Sequence, residues 1–226
     1  MKKIYKSLLM SALVLLNCIY LGQTCFAEGY LYKEISQGVI ETERLILEPT
    51  NSNDLDVLAD CLMDYEVTKH LDPTLKKGFE NKNEALEFLK SDTEHEYDEA
   101  IEFTIKLKDS KKPIGKVDAM IYLQDSGNLA MFGYWLGKDF QGKGYAQEAC
   151  YSFCDKFFEA TDINSAYISC YLQNEKSSKL ADKILDYLEK NNSQIRLCRT
   201  KENIIIKDEQ KNQINMRTFS LAKTKQ

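Results

Sequence analysis

The sequence lacks the clusters that mark several functional classes. It contains no block of lysines and arginines, and its 35 acidic residues outnumber its 30 basic ones, which gives a formal net charge of −5. Proteins that bind nucleic-acid phosphates need a concentrated basic surface, so no nucleic-acid partner is expected. Internal repeats and low-complexity tracts are also absent from the sequence. The 226 residues, 43% of them hydrophobic, fit one globular domain with a short extension.

Histidine is scarce, and the cysteines do not form the framework of a disulfide-rich protein. The chain has two histidines, His70 and His95, and seven cysteines. Two cysteines fall in the first 27 residues, and an odd number remains in the rest of the chain. Cys150 and Cys154 are one helical turn apart, but the two histidines offer few further ligands. A buried thiol pair is therefore favoured over a metal site, and no metal is expected.

The first 27 residues have the composition of a targeting segment. Three lysines stand within the first six residues, an uncharged apolar run covers 8–20, and the small residues Cys25 and Ala27 suit a cleavage site. The apolar run is shorter than the about 20 residues of a membrane span. A signal peptide over 1–27 and an exported protein are expected. A membrane anchor and a cytoplasmic protein whose start is placed too early are the alternatives.

After a linker at 28–40, strands and helices follow one another over a single domain at 41–226. Three central strands are separated by short polar turns, which predicts antiparallel pairing. The strand after the next helix is reached by a crossover, which predicts one parallel pair. The predicted strands cover 44–47, 101–107, 114–123, 129–136, 167–172, 195–206 and 214–221. Of the four predicted helices, the first is capped by Asn53 or Asp54, the second covers 83–90, the third begins near Gly144, and the fourth covers 176–190.

The most informative stretch is Gln141–Ala146, between the strand at 129–136 and the helix that follows. A strand that turns through glycines into a helix directs several unpaired N–H groups at one point, and the helix dipole adds partial positive charge there. Such a place suits a phosphate or pyrophosphate, and glycine lets the ligand approach the backbone. The stretch matches neither a Walker loop nor a dinucleotide-binding GxGxxG motif. A glycine-rich turn that binds nothing is the simpler alternative.

Several motifs in one order carry a family resemblance. The pattern Gln-x-x-Gly-x-Ala at 141–146 resembles the acyl-CoA pyrophosphate loop of the GNAT superfamily of N-acetyltransferases. Thr42–Pro49 is similar to the opening strand of its RimJ/RimL-like branch, Gly133–Leu136 to its fourth strand, and Asn174–Ser177 to the Asn-x-x-Ser after its fifth. The resemblance implies an α+β GNAT fold. That fold has a mixed, mostly antiparallel seven-stranded sheet, helices on both faces, and central parallel strands that splay around the acyl-CoA thioester.

The resemblance also implies a function. It indicates an N-acetyltransferase that uses acetyl-CoA as co-substrate and a primary amine as acceptor, through direct attack in a ternary complex. The acceptor would be a protein N-terminus or a small amine, and the protein a monomer or weak homodimer. The fourth strand would polarise the thioester carbonyl, the glycine-rich stretch would bind the pyrophosphate, and Asn174 would position the pantetheine arm. The implied cofactor-binding residues are Tyr134, Trp135, Leu136, Gln141, Gly142, Lys143, Gly144, Tyr145, Ala146 and Asn174.

The resemblance supplies a proton donor but no general base. Ser177 matches the serine that RimL-type enzymes use to protonate the departing thiolate, and a helix N-cap explains that serine equally well. The fourth strand carries Met131 where the family often has an acidic residue. Glu102 and Asp118 on neighbouring strands are substitutes by position, with solvated strand residues and a water relay as alternatives. Met131 also keeps open a degenerate GNAT-fold module that binds CoA or an acceptor without turnover.

Overall fold

The computed structural model describes residues 35, 37–71, 77–91, 99–123, 128–163, 165–191, 200–207 and 213–222. The predicted targeting segment at 1–27 and most of the linker at 28–40 lie outside these residues. The beginning of the strand predicted at 195–206 lies outside them too. Among the described residues, no helix is long and apolar enough to cross a membrane.

An eight-stranded sheet forms the centre of the described part of the chain. Its strands are β1 (Ile40–Glu41), β2 (Leu45–Pro49), β3 (Glu99–Leu107), β4 (Pro113–Tyr122), β5 (Leu129–Leu136), β6 (Ser165–Tyr171), β7 (Thr200–Lys207) and β8 (Gln213–Ala222). They lie in the order β1-β2-β3-β4-β5-β6-β8-β7. The pair β5–β6 is parallel and the other neighbours are antiparallel. The α+β class and the mixed sheet are thus confirmed. The expected seven strands become eight, because Ile40 and Glu41 pair with β2 at the end of the predicted linker.

Helices cover the sheet between these strands. They are α1 (Ser52–Leu62), α2 (Tyr65–Thr68), α3 (Lys82–Ser91), α4 (Tyr145–Ala160) and α5 (Glu175–Asn191), with a 3-10 turn at Lys138–Phe140. The predicted cap of α1 at 53–54 is wrong by two or three residues. Asn51 keeps an extended backbone, and its side-chain oxygen accepts the N–H of Asn53 at 2.9 Å, so the helix begins at Ser52.

One face of the sheet packs against α4 and α5 as an aromatic core. The Phe132 ring on β5 makes edge-to-face contacts with Phe157 and Phe158, at centroid separations of 5.0 and 5.8 Å. Cys150 and Cys154 are buried in the same core as free thiols, as the sequence predicted. Burial raises the pKa of both thiols, which keeps them protonated and unreactive at neutral pH.

The opposite face packs against α1, α2 and α3 and carries buried charges. Side chains alternate along a strand, so the residues between the apolar ones of β3 and β4 turn to this face. Lys106 Nζ lies 2.8 Å from Glu48 Oε2 and 2.9 Å from Asp54 Oδ1. Lys116 Nζ, on a side chain only 1% exposed, lies 3.2 Å from Glu102 Oε1. A row of ion pairs therefore crosses the sheet beneath the three N-terminal helices.

Candidate active site

The two parallel strands separate at the centre of the sheet. β5 and β6 pair over Leu129–Met131 and Ser165–Tyr167, but β5 continues to Leu136 and β6 to Tyr171. Beyond the paired residues, each strand has backbone groups on the side of the gap that the other strand no longer meets. The splay that the resemblance implied is therefore present, and it opens toward the carboxyl ends of both strands.

The phosphate loop (Gln141–Ala146) begins where β5 ends. Gly142 and Gly144 have φ angles of +76° and +83°, which favour glycine, and Gly144 is the N-cap of α4. A Cβ at Gly142 would meet no atom within 4 Å, so the loop is open on that side. Within the described residues, the hydrogen bonds formed inside the protein leave the backbone N–H groups of Gly142 to Ala146 available. The loop thus fits an anion at the start of α4.

Three further residues of the implied cofactor set make contacts within the protein. Gln141 donates its backbone N–H to Lys138 O at 3.2 Å and its side-chain amide to Leu136 O at 3.0 Å, which anchors the loop to the end of β5. The Leu136 side chain is buried in the aromatic core, and Trp135 packs against the cluster formed by α1 to α3. These contacts hold the end of β5 and the beginning of the loop in place.

The first turn of α4 is held to the segment just before β2. Glu148 accepts the hydroxyl of Thr42 at 2.6 Å, and its Oε2 lies 2.6 Å from Arg44 Nη2. Arg44 also donates to the carbonyl of Lys143 at 3.0 Å and lies 4.7 Å above the ring of Tyr145. Burial alone would raise the pKa of Glu148, but the hydrogen bonds from Thr42 and Arg44 outweigh it and lower that pKa.

A pair of hydroxyls links β5 to α5 beside the splay. Tyr134 Oη donates to the carbonyl oxygen of Ser177 at 3.1 Å and lies 3.0 Å from Ser177 Oγ, where either hydroxyl can be the donor. Burial raises the pKa of Tyr134 well above its ordinary value, so the phenol keeps its proton at neutral pH. The pair therefore holds two hydroxyl protons at this point.

The N-cap alternative for Ser177 is wrong. The cap of α5 is Asn174, whose side-chain oxygen accepts the N–H of Ser177 at 3.2 Å and whose carbonyl accepts the N–H of Ser178 at 3.0 Å. Ser177 is the third residue of the helix, so its hydroxyl is not needed to cap the backbone. The side-chain oxygen of Asn174 is used for the cap. The implied role of Asn174 toward the pantetheine arm stays a prediction.

The two candidate bases lie on the charged face, next to the splay. Glu102 is directly opposite Asp118 across β3 and β4, and Asp118 is opposite Gly133 on β5. A Cβ at Gly133 would collide with the Asp118 carboxylate, so that carboxylate lies directly over the glycine. Glu102 is ion-paired with Lys116, and both acids are partly buried, so neither is a fully solvated strand residue.

An aromatic pair at the rim of the charged face was not foreseen from the sequence. The ring of His70, which follows α2, lies 6.3 Å from the ring of Tyr171 at the end of β6. Burial lowers the pKa of His70, so the ring is neutral at pH 7. No local motif connects two residues so far apart in the chain. In the clamp formed by Arg44 and Glu148, by contrast, Arg44 lies within the motif at Thr42–Pro49, and Glu148 follows the glycine-rich motif by two residues.

Comparison with known proteins places this geometry in a family. The model for the GNAT acetyltransferase domain matches residues 44–184, more than half of the chain. The chain belongs to the GNAT acetyltransferase family. Membership of this family makes it an acyl-CoA N-acetyltransferase that uses acetyl-CoA as co-substrate. The family assignment thus confirms the resemblance on which the sequence-based expectations rest.

Individual GNAT proteins extend this result. An uncharacterized N-acetyltransferase of Bacillus licheniformis, p20, is 30% identical over 144 residues, which are 63% of this chain and 79% of that protein. A RimL ribosomal-protein α-N-acetyltransferase in complex with coenzyme A has a TM-score of 0.58 at 16% identity, covering 82% of this chain and 98% of that one. A microcin C7 self-immunity acetyltransferase with acetyl-CoA and AMP has a TM-score of 0.54 at 19% identity, covering 80% and 93%. At these identities, the two structures show a shared fold alone.

Proposed function

We propose that this GNAT enzyme acetylates the α-amine of a peptide or protein N-terminus by direct attack on acetyl-CoA while both substrates are bound. The observation that carries the proposal is the hydroxyl pair of Tyr134 and Ser177 beside the splay. Acetyl transfer needs a neutral amine, a polarised thioester carbonyl and a proton for the departing thiolate. The hydroxyl pair provides the third requirement at the strand where family members bind the thioester.

Direct attack is favoured over an acetylated enzyme. The thiols on α4, Cys150 and Cys154, are buried among aromatic rings, and burial raises the pKa of both. Such thiols are poor acyl acceptors, because the thiolate is the nucleophile. In direct transfer, the amine nitrogen bonds to the carbonyl carbon, the carbon–sulfur bond breaks, and the thiolate takes a proton from Ser177 or Tyr134. The amine proton leaves to the opposite side of the sheet.

The charged face supplies the group that receives the amine proton. Asp118 lies over Gly133, one strand away from Met131, where the family often has its acid. A carboxylate on β4 thus reaches toward the place that a carboxylate on β5 would occupy. We assign Asp118 as the base and Glu102, held by Lys116, as a neighbouring charge that stabilises a cationic acceptor.

The basicity of the acceptor supports an α-amine. An α-amino group has a pKa of about 7.7–8.0, whereas a lysine amine has about 10.4. A useful fraction of an α-amine is therefore already neutral at pH 7. The carboxylate of Asp118 on β4 is then an adequate base, although the family often has its acid on β5. The RimL-type neighbour is itself named as an α-N-protein acetyltransferase, which agrees with this choice. The net negative charge of −5 would also attract a cationic acceptor.

The test is an acceptor panel with acetyl-CoA. Peptides with a free α-amine and no lysine, the same peptides Nα-acetylated and carrying one lysine, polyamines and amino sugars are compared by thiol release and intact-mass analysis. We expect a gain of one acetyl group on the free α-amine peptides. Acetylation confined to small amines would contradict the peptide assignment. Binding of CoA without turnover of any acceptor would favour the degenerate module that Met131 suggested from the sequence.

The assignment of Asp118 has its own pair of variants. Asp118→Asn keeps the shape over Gly133 and removes the base, so we expect turnover at pH 7 to fall by about 10²–10⁴-fold and to recover in part as pH rises toward 8, where more α-amine is neutral. Adding Met131→Glu should restore activity by returning an acid to β5. Turnover that is unchanged in Asp118→Asn would show that water, and not Asp118, takes the proton.

A further inference from the structure

We infer that Arg44 is a positioning residue for acetyl-CoA: together with Glu148, it fixes the orientation of the phosphate loop from outside the ligand site. Arg44 stands on the strand-opening motif at β2, and Glu148 in the first turn of α4, 104 residues apart in the chain. The two residues join the start of the domain to the loop where we place the pyrophosphate. Neither side chain belongs to the set of residues that the sequence assigned to the cofactor.

The Arg44 side chain is 44% exposed, but its contacts form a clamp. Its backbone N–H and its Nε donate to the two oxygens of Glu148 at 2.8 and 2.7 Å, and Nη2 lies 2.6 Å from Oε2. The remaining Nη1 donates to the carbonyl of Lys143 at 3.0 Å, and the guanidinium lies over the Tyr145 ring at 4.7 Å. Thr42 adds a hydrogen bond to Glu148 at 2.6 Å. A planar guanidinium held on several sides has little freedom to move.

The contact to Lys143 determines the direction of the next amide. A trans peptide is planar, so its N–H points opposite to its C=O. Because the carbonyl of Lys143 points at Arg44, the N–H of Gly144 points away from Arg44. Gly144 caps α4 with φ at +83°, a residue whose backbone has an unusually wide choice of conformations. Glycine at 144 would allow the peptide between Lys143 and Gly144 to rotate. The hydrogen bond from the Arg44 guanidinium holds that peptide in one orientation.

Charge gives the clamp a second effect. Glu148 is within one turn of the start of α4, where a pyrophosphate would lie, and its lowered pKa keeps it ionised. A carboxylate there would repel the anion, but Arg44 neutralises it at contact distance. The pair of Arg44 and Glu148 therefore adds no net charge beside the loop, and Glu148 does not oppose the attraction of the helix N–H groups and dipole for the pyrophosphate.

The experiment uses two acyl donors on the full chain. Acetyl-CoA contains the pyrophosphate, and acetylpantetheine lacks it. We expect Arg44→Met to raise KM for acetyl-CoA by roughly 10–100-fold with little change in kcat, and to leave kcat/KM for acetylpantetheine unchanged. Arg44→Lys, which keeps the charge but loses the fork, should give an intermediate KM. Lys82→Met, which removes an exposed ion pair with Asp56 and Asp60, is the matched control and should change neither donor.

Two outcomes would overturn the role of Arg44. One is an equal loss with both donors in a folded variant, which would mean that the clamp only supports the fold. The other is an unchanged KM for acetyl-CoA. If Arg44→Met does not fold by circular dichroism, Glu148→Gln and Arg44→Lys give the same comparison with smaller structural change. Because this role rests on the proposed phosphate loop, Gly142→Glu is measured in parallel: unchanged CoA binding in that variant would overturn the loop assignment and the role of Arg44 with it.

Discussion

The two faces of the sheet are made from alternate residues of the same strands, yet they differ in almost every physical property. On the α4 side, Ile101, Phe103 and Ile105 enter an aromatic core. On the other side, Glu102 and Lys106 take part in buried ion pairs. Apolar burial stabilises a fold by about 25 cal/mol per Å², whereas a buried ion pair often stabilises less than the apolar residues that could replace it.

We propose that this difference separates the two substrates. The apolar face supports α4, and with it the phosphate loop and the hydroxyl pair, where we place acetyl-CoA. The charged face, with Asp118 at its end beside the splay, is where we place the amine. A single sheet thus offers a rigid hydrophobic support to the donor and an ionised surface to a cationic acceptor. Our proposal therefore assigns the charges of this face to acceptor binding and not to stability.

The largest effect on stability should come from the apolar face. Phe157 is fully buried and its ring lies 5.0 Å from that of Phe132. We expect Phe157→Ala to reduce the free energy of unfolding by about 3–5 kcal/mol, because the removed ring leaves a cavity. Urea unfolding measures the loss, and Phe157→Leu should cost clearly less. If Phe157→Ala lowered the free energy of unfolding by no more than a substitution at an exposed position does, this face would not be the principal core.

The charged face should respond in a different way. Lys116→Met alone leaves Glu102 without its ion-pair partner, and we expect a loss of about 3 kcal/mol in the free energy of unfolding. The double variant Lys116→Met with Glu102→Met should recover most of that stability, because the uncompensated charge is gone. Acetylation by the double variant should remain reduced. A double variant as unstable as the single one would contradict the view that these charges serve the acceptor.

A substitution in the phosphate loop should change the affinity for the acyl donor and little else. Gly142→Glu puts a carboxylate beside the pyrophosphate, and we expect the calorimetric Kd for CoA to rise at least about tenfold, since juxtaposed like charges cost several kcal/mol. Gly142→Gln has the same shape and the same strain at φ +76° without the charge. The difference between the two variants therefore isolates electrostatic repulsion. Equal Kd values for both variants would mean that no anion lies at this loop.

The smallest effect should be the pH dependence of the clamp. The pKa of Glu148 is lower in the folded protein than its ordinary value, so its contribution to stability is complete above about pH 4.3 and is lost as pH falls through the folded-state value. We expect Glu148→Gln to be less stable than the native chain by about 1 kcal/mol at pH 7. The difference should shrink below about pH 4. A difference that is constant with pH would mean that the charge of Glu148 does not contribute.

Local patterns in the sequence predicted the parts of the fold that depend on neighbouring residues. The alternation along β3, the glycines before α4 and the burial of Cys150 and Cys154 were all visible because strand and helix periods are local properties. Caps were less certain, since Asn51, Asn53 and Asp54 all favour that position and only the backbone decides among them. The short strand β1 was not predicted, because two residues are too few to show the alternation that marks a strand.

The site depended on contacts that local patterns do not contain. The hydroxyls of Tyr134 and Ser177 are 43 residues apart, and Arg44 and Glu148 are 104 apart. The family resemblance named these segments in order, but not which atoms meet. The motif identified Ser177 without its partner, and the space over Gly133 for Asp118 exists only once β4 and β5 are paired. Sequence reasoning therefore found the elements of the site and missed their pairings.

The most direct test of the account is a cycle of three variants, Ser177→Ala, Tyr134→Phe and the double variant, each measured for turnover with an α-amine peptide and for CoA affinity by calorimetry. If the hydroxyl pair protonates the thiolate as a unit, kcat should fall by about 10²–10⁴-fold, the double variant should be little worse than the more impaired single one, and the Kd for CoA should stay nearly constant. Native turnover in all three variants, or a loss that follows the Kd for CoA, would contradict the central claim.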